Sequence, residues 1–274
     1  MSKPREPTKE EWDSHMITHI PFRNWCPFCV KGRGRQDSHK VGKEECGIAA
    51  VMLDYCTVNE ESKEDERPIL VSKDKKSGKM IAMVVPRKGD HPKAIQMYAR
   101  EIRRLGHGSM VIKSDQEPSI VSFKEKVRKE LGSGYEIKME ESPAYSHQSN
   151  GEMEQMVGHL KGIVRTLWYR LESKYGRKIR EGEDLFPWMV QHAADLHNRA
   201  NVGEDGKTPF ERMRGKKFRK EMVEIGEGVM AMIQSEEKKR DLRDNWIEGV
   251  WLGVREESME SIIGTAQGVI KVRT

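Results

Sequence analysis

Residues 47–58, GIAAVMLDYCTV, form a continuous apolar stretch of strand length that carries one carboxylate, Asp54, near its end. A strand apolar on both faces belongs in the interior of a sheet that is covered on both sides. The chain around it must therefore supply more strands and helices to cover them. After the charged segment NEESKEDERP, the runs ILVSKD and KMIAMVV flank KKSG and predict a hairpin with a glycine turn, making three antiparallel strands. HPKAIQMYAREIRRLG places Ala94, Met97, Tyr98, Ile102 and Leu105 at helical spacing before a glycine stop, and PSIVSFKEKVRKELG runs from Pro118 at a helix start to Gly132 at its end. MVIKSD and YEIKMEES are short strands, the first followed closely by a second acid, Asp115. The predicted order is β-β-β-α-β-α-β-α. Short right-handed connections put the strand ending at Asp115 beside the one ending at Asp54, so that two carboxylates share one edge of the sheet.

The segment SPAYSHQSNGEMEQMVGHL, Ser142 to Leu160, holds a third acid. It reads as a polar loop and an Asn-Gly turn opening into an amphipathic helix, with Glu152 and Glu154 in the first turn. Acids near a helix N-terminus favour the helix dipole in any protein. The other reading is that one of them completes a set with Asp54 and Asp115. Phosphoryl transfer suits such a set, because carboxylate oxygens hold the hard divalent ions that activate an attacking oxygen and stabilise a leaving one. Lys161 and Arg165 follow Glu154 at +7 and +11, on nearby helix faces. They are either phosphate-backbone contacts or ordinary solvated cations.

Formal net charge is only +5, yet residues 161–180 carry seven basic residues against Glu172, and residues 207–220 seven against Glu211. Two cationic stretches of that density suit a polyanion, and together they favour nucleic acid over two solvated helix faces. No apolar run approaches the roughly 18 residues of a membrane span, and MSKPREPTKEEW lacks the apolar core of a signal peptide, so the expectation is a cytosolic or nuclear chain with no membrane partner. Cys26, Cys29, Cys46 and Cys56 are too few for a disulfide framework. His15 and His19 are one helical turn apart and precede the Cys26-Cys29 pair; such a set suits a closed tetrahedral Zn²⁺ site that would stabilise a segment too short for a core, or alternatively a redox C-x-x-C. Beyond residue 226 the pattern changes to short Val, Ile and Trp-rich runs between glycines, which predicts a small β-barrel-like module or an unclosed part of one. The expected organisation is a His/Cys segment and basic linker at 1–45, an α/β core at 46–220 and the β module at 221–274.

Asp54, the KSDQEPSI segment holding Asp115, and the Q-x-N-G-x-x-E pattern formed by Gln148, Asn150, Gly151 and Glu154 together resemble the retroviral and retrotransposon integrases, the copia type most closely. The resemblance covers roughly residues 47–217. It implies an RNase H-like core, a five-stranded mixed sheet with flanking helices, and makes Glu154 rather than Glu152 the third ligand of Mg²⁺ or Mn²⁺. It further implies DNA contacts at Gln148, Asn150, Lys161 and Arg165, an N-terminal zinc module, assembly as homo-oligomers on element ends and target DNA, and work in the nucleus. The chain departs from the family in the interval between Asp115 and Glu154, which is slightly long. Only six residues separate His19 from Cys26, where the family has a much longer interval. A rival expectation is a catalytically inactive nucleic-acid-binding remnant of a polyprotein, which the short His/Cys segment fits. An RNase H-type nuclease would share the metal chemistry but leave both flanking segments unexplained.

Overall fold

The structure, a computed structural model, describes residues 5–18, 23–27, 48–58, 67–141, 147–220, 222–232 and 246–273. Two compact units divide the chain, Met1–Glu45 and Cys46–Thr274. In the first, helix α1 spans Lys9–Thr18. Its start is fixed by a reciprocal cap, in which the Glu11 amide donates to Thr8 Oγ1 at 3.2 Å and the Thr8 amide to the Glu11 carboxylate at 3.0 Å. Trp12 stacks on Trp25 with ring centroids 5.8 Å apart, and His15 meets the Trp25 ring edge-on at 4.9 Å.

The second unit is built on a five-stranded sheet of order β3-β2-β1-β4-β5. Its strands are β1 (Ala49–Cys56), β2 (Ile69–Asp74), β3 (Met80–Val84), β4 (Ser109–Ser114) and β5 (Glu136–Glu141). β1 to β3 are antiparallel, whereas β4 is parallel to both β1 and β5. The apolar run around Asp54 is central, as its composition requires, and the mixed sheet with flanking helices is the architecture expected from the sequence. Alternate β1 residues serve two cores. Ala49, Val51, Leu53 and Tyr55 pack with helices α2 (Pro92–Leu105) and α3 (Pro118–Leu131), while Met52 packs with α4 (His147–Tyr175) and α5 (Leu185–Ala200) on the opposite face. Each fully buried aliphatic side chain in these layers contributes roughly 2 kcal/mol.

Local chemistry fixes the connections. The β2–β3 hairpin turns at Gly78, whose φ of 76° suits a residue without a Cβ and whose amide donates to the Asp74 carbonyl at 2.8 Å. β3 is an edge strand, and α5 covers part of that edge: Asn198 accepts from the Met80 amide and donates to the Met80 carbonyl, both at 2.8 Å. Helix α6 (Pro209–Arg214) opens on a capping box between Thr208 and Glu211.

One expectation needs correction. Asn150 and Gly151 are helical, not a turn, because α4 begins at His147; Glu152 and Glu154 therefore lie in its second turn. The buried stripe of Met153, Met156, Leu160 and Val164 holds this end of the helix on the sheet, and such tertiary packing overrides the weak local preference of Asn-Gly. The C-terminal strands β6 (Gly228–Met232), β7 (Trp246–Val254), β8 (Ser261–Thr265) and β9 (Gly268–Val272) pair as an open antiparallel sheet, β6-β7-β8-β9. Its inner face, with Ala231, Trp251 and Ile263, belongs to the same apolar cluster as α4 and α5.

Candidate active site

Strand register places the two aspartates. Met52 lies opposite Lys113 in the parallel β1–β4 pair, so the same register carried forward sets Asp54 opposite Asp115, the residue after β4 ends. Side chains alternate along a strand, and Asp54 shares the face of Met52, which is the face that α4 covers. The two acids line one small cleft together with Met52, Leu53, Lys113, Ser114 and Met153, the last reaching in from α4.

This placement has an electrostatic consequence. Burial pushes the Asp54 carboxyl up to about 6, and the charge of Asp115 adds to the rise; the Tyr55 amide, donating to Asp54 Oδ1 at 2.7 Å, opposes it. Glu117 raises it further and Lys88 lowers it, and those two residues are themselves paired at 3.2 Å. Asp115 Oδ1 accepts from the Glu117 amide at 3.2 Å, which holds it at the mouth of α3. Two carboxylates so arranged repel each other, and a cation between them would relieve both the repulsion and the desolvation.

Helix α4 separates the two glutamates. Residues two apart lie about 200° around a helix axis, so Glu152 and Glu154 occupy opposite flanks. Glu152 is committed to Lys73 at 3.3 Å and Lys75 at 3.2 Å on the β2 hairpin, and those two lysines oppose the rise that burial causes in its pKa and leave it below its ordinary value. Glu154 is exposed. It shares its flank with Lys161, two turns on, and Lys161 acts on β1: burial raises the Cys56 thiol to about 11, with Lys161 lowering it and Asp54 raising it. Glu154 thus shares the Lys161 flank of α4, and it does not line the cleft. Among the described residues, no group of three or more His, Cys, Asp or Glu side chains is arranged to hold a metal ion.

The remaining sequence-derived residues fall as follows. Gln148 and Asn150 are in the first turn of α4, Lys161 is half-buried, and Arg165 is exposed. In the first cationic stretch, four of the seven bases pair with acids: Arg170 and Lys174 with Glu224, Arg177 with Glu183 and Lys178 with Glu172. In the second, Lys207, Lys216, Lys217 and Arg219 are exposed. His15 and Cys26 are both buried in the N-terminal unit, whereas His19 and Cys29 lie outside the described residues. Sequence reasoning missed Met153 and Lys113 as cleft residues. The signal for Lys113 was its place two before Asp115, on the same strand face.

Fold and cleft together define an α/β domain with paired carboxylates at the ends of two parallel central strands. No protein-family model and no curated protein sequence matches the chain. Among solved structures it is similar to a simian T-cell lymphotropic virus intasome in complex with PP2A regulatory subunit B56 gamma, at 18% identity and a TM-score of 0.45 over 81% of this chain and 75% of that one. It is similar also to the catalytic core domain of BIV integrase, at 20% identity and a TM-score of 0.42 over 59% of this chain and 91% of that one. For the HTLV-2 integrase catalytic core domain in complex with magnesium, in its trimeric form, the values are 19% and 0.44 over 60% and 95%.

Proposed function

We propose that this chain is an integrase-like polynucleotidyl transferase of the copia retrotransposon type, which trims a DNA end and joins the exposed 3′-hydroxyl to target DNA. The observation that carries this reading is the juxtaposition of Asp54 and Asp115 on one sheet face, with Asp54 raised to about 6 by burial and by its neighbour. A half-buried carboxylate pair of this kind fits Mg²⁺ or Mn²⁺, whose positive charge removes the cost of ionising both. When bound, such an ion supplies Lewis acidity at a phosphoryl oxygen and favours the attacking oxygen. Asp54 and Asp115 are its holders, and Glu154 is the third ligand that the Q-x-N-G-x-x-E resemblance assigns.

The chain's own residues divide the rest of the work. Lys161 and Arg165 extend from the Glu154 flank of α4 and hold the DNA backbone, aided by Gln148 and Asn150 at its first turn. Contacts of that kind position DNA without reading its sequence. His15, His19, Cys26 and Cys29 bind Zn²⁺ in the segment 1–45, residues 46–220 are the catalytic core, and 221–274 a small C-terminal β module. The protein works in the nucleus as a homo-oligomer on element ends. The test is Mg²⁺-dependent strand transfer on a short blunt duplex: Asp54→Asn, Asp115→Asn and Glu154→Gln each lower it by roughly a hundredfold or more. Full activity in one of these variants removes that residue from the site.

The exposure of Glu154 favours a second reading, a nucleic-acid-binding protein without catalysis. DNA binding that weakens steeply with salt, with no metal-dependent cleavage under any of these conditions, selects it.

A further inference from the structure

Lys124 stands at a position that its own helix reserves for apolar groups. The buried face of α3 is Ile120, Phe123, Val127 and Leu131, and Lys124 falls within it with a side chain only 1% exposed. A lysine there loses its hydration and must be compensated. Its Nζ donates to the Glu140 carbonyl at 3.0 Å and approaches the Glu141 carboxylate at 3.9 Å, both at the C-terminal end of β5. Ser114 lies opposite Glu141 in the parallel β4–β5 pair, so the ammonium sits at the strand end that runs on into Asp115. Burial lowers its pKa, while Glu141, Asp115 and Glu125 pull it back up. β5 is an edge strand, and Lys113, which shares the cleft with the aspartates, pairs with Glu140 at 3.0 Å on the same strand end. A methionine or leucine would fill the same volume without the desolvation cost, so packing alone does not account for a cation here.

We propose that Lys124 is a positioning residue of the carboxylate cleft: its buried ammonium ties the end of β5 to α3 and supplies a fixed positive charge at the sheet edge that carries Asp115, which weakens the cleft's attraction for a divalent cation. This inference rests on the proposed metal-dependent function. A fixed cation behind the pair moderates the repulsion between the two aspartates and leaves the cleft an affinity that a substrate phosphate can adjust. Because the charge acts through space, its removal strengthens cation binding, whereas loss of a merely structural contact leaves that affinity unchanged or weakens it.

The experiment is Mn²⁺ titration of the full chain at about pH 7.5, read by the electron paramagnetic resonance of free Mn²⁺, which needs no catalysis. Lys124→Gln keeps an N–H donor for the Glu140 carbonyl and removes the charge; Lys124→Met removes both; Lys124→Arg keeps both. The expected result is a dissociation constant about two- to fivefold lower in the Gln and Met variants and within twofold of the parent in Arg. Unchanged or weaker binding in a cooperatively folded Gln variant overturns the proposal. Should Met fail to fold, the Gln and Arg pair carries the same comparison. Asp54→Asn and Asp115→Asn separate the two levels of inference. If parent binding is insensitive to both, the cleft is not the cation site and the functional reading falls with the Lys124 proposal; if it is sensitive but Lys124→Gln binds as the parent does, only the latter falls.

Discussion

Asp54 is a half-buried acid beside another acid, and that combination makes the cleft sensitive to pH. Its carboxyl, raised to about 6 from an ordinary value of 3.8, binds a proton more readily in the folded chain than in the unfolded one. Its favourable contribution is therefore complete below about pH 4 and is lost as pH rises through about 6. Asp54→Asn is isosteric and its side-chain oxygen can still accept from the Tyr55 amide. Without divalent ions it should stabilise the protein by about 2 kcal/mol at pH 7.5 and by nearly nothing at pH 4, measured by urea unfolding at both. An equal effect at both pH values would mean that the charge is not what burdens this site. Asp54 and Asp115 were legible from sequence because each follows an apolar strand run and the right-handed crossover rule makes those strands neighbours. Lys124 was passed over although its signal was present: it interrupts the period of Ile120, Phe123, Val127 and Leu131. Its place at the strand end that runs on into Asp115 depends on tertiary packing, which no spacing encodes.

At the scale of elements, α4 separates the two candidate glutamates. One helix presents Met153 and Val157 to the core around β1, Lys161 on the flank towards Cys56, and Glu152 to the lysines of β2 on the other flank. Glu152 is thus a tether between helix and hairpin. Its two ion pairs are partly exposed, so Glu152→Gln should cost no more than about 1 kcal/mol in thermal or urea unfolding and leave metal-dependent strand transfer within about threefold of the parent. Glu154→Gln should reverse that pattern, leaving stability alone and removing activity. Loss of transfer in Glu152→Gln with Glu154→Gln intact would exchange their roles. The choice between them was open in the residue pattern and was decided there by the family resemblance; the helix geometry adds that the two stand on opposite flanks, so that both cannot face the aspartates at once. The start of α4 was misread for a related reason. Asn-Gly carries a local turn preference worth a few tenths to about 1 kcal/mol, and the buried methionines that follow outweigh it.

Across the whole molecule, the question is whether the C-terminal sheet is a passenger or a structural part of the core. Trp251 of β7 is 2% exposed and meets His192 of α5 edge-on, with ring centroids 5.3 Å apart. Around the same junction, Lys79 pairs with Glu256 at 2.8 Å, Arg104 pairs with Glu257, and the Arg199 guanidinium donates to the Val254 carbonyl at 3.4 Å. The sequence separated this region from the core because its pattern changes from helical to short strand runs. Pattern reports how a segment folds locally and is silent on which face meets which. An inner sheet face shared with α5 makes the two fold together. Trp251→Ala should then cost about 3–5 kcal/mol and move the unfolding of the core itself, seen as one transition by both far-UV circular dichroism and the fluorescence of Trp188 on α5. If the sheet were independent, the same variant would melt in two steps, with the core's midpoint unmoved.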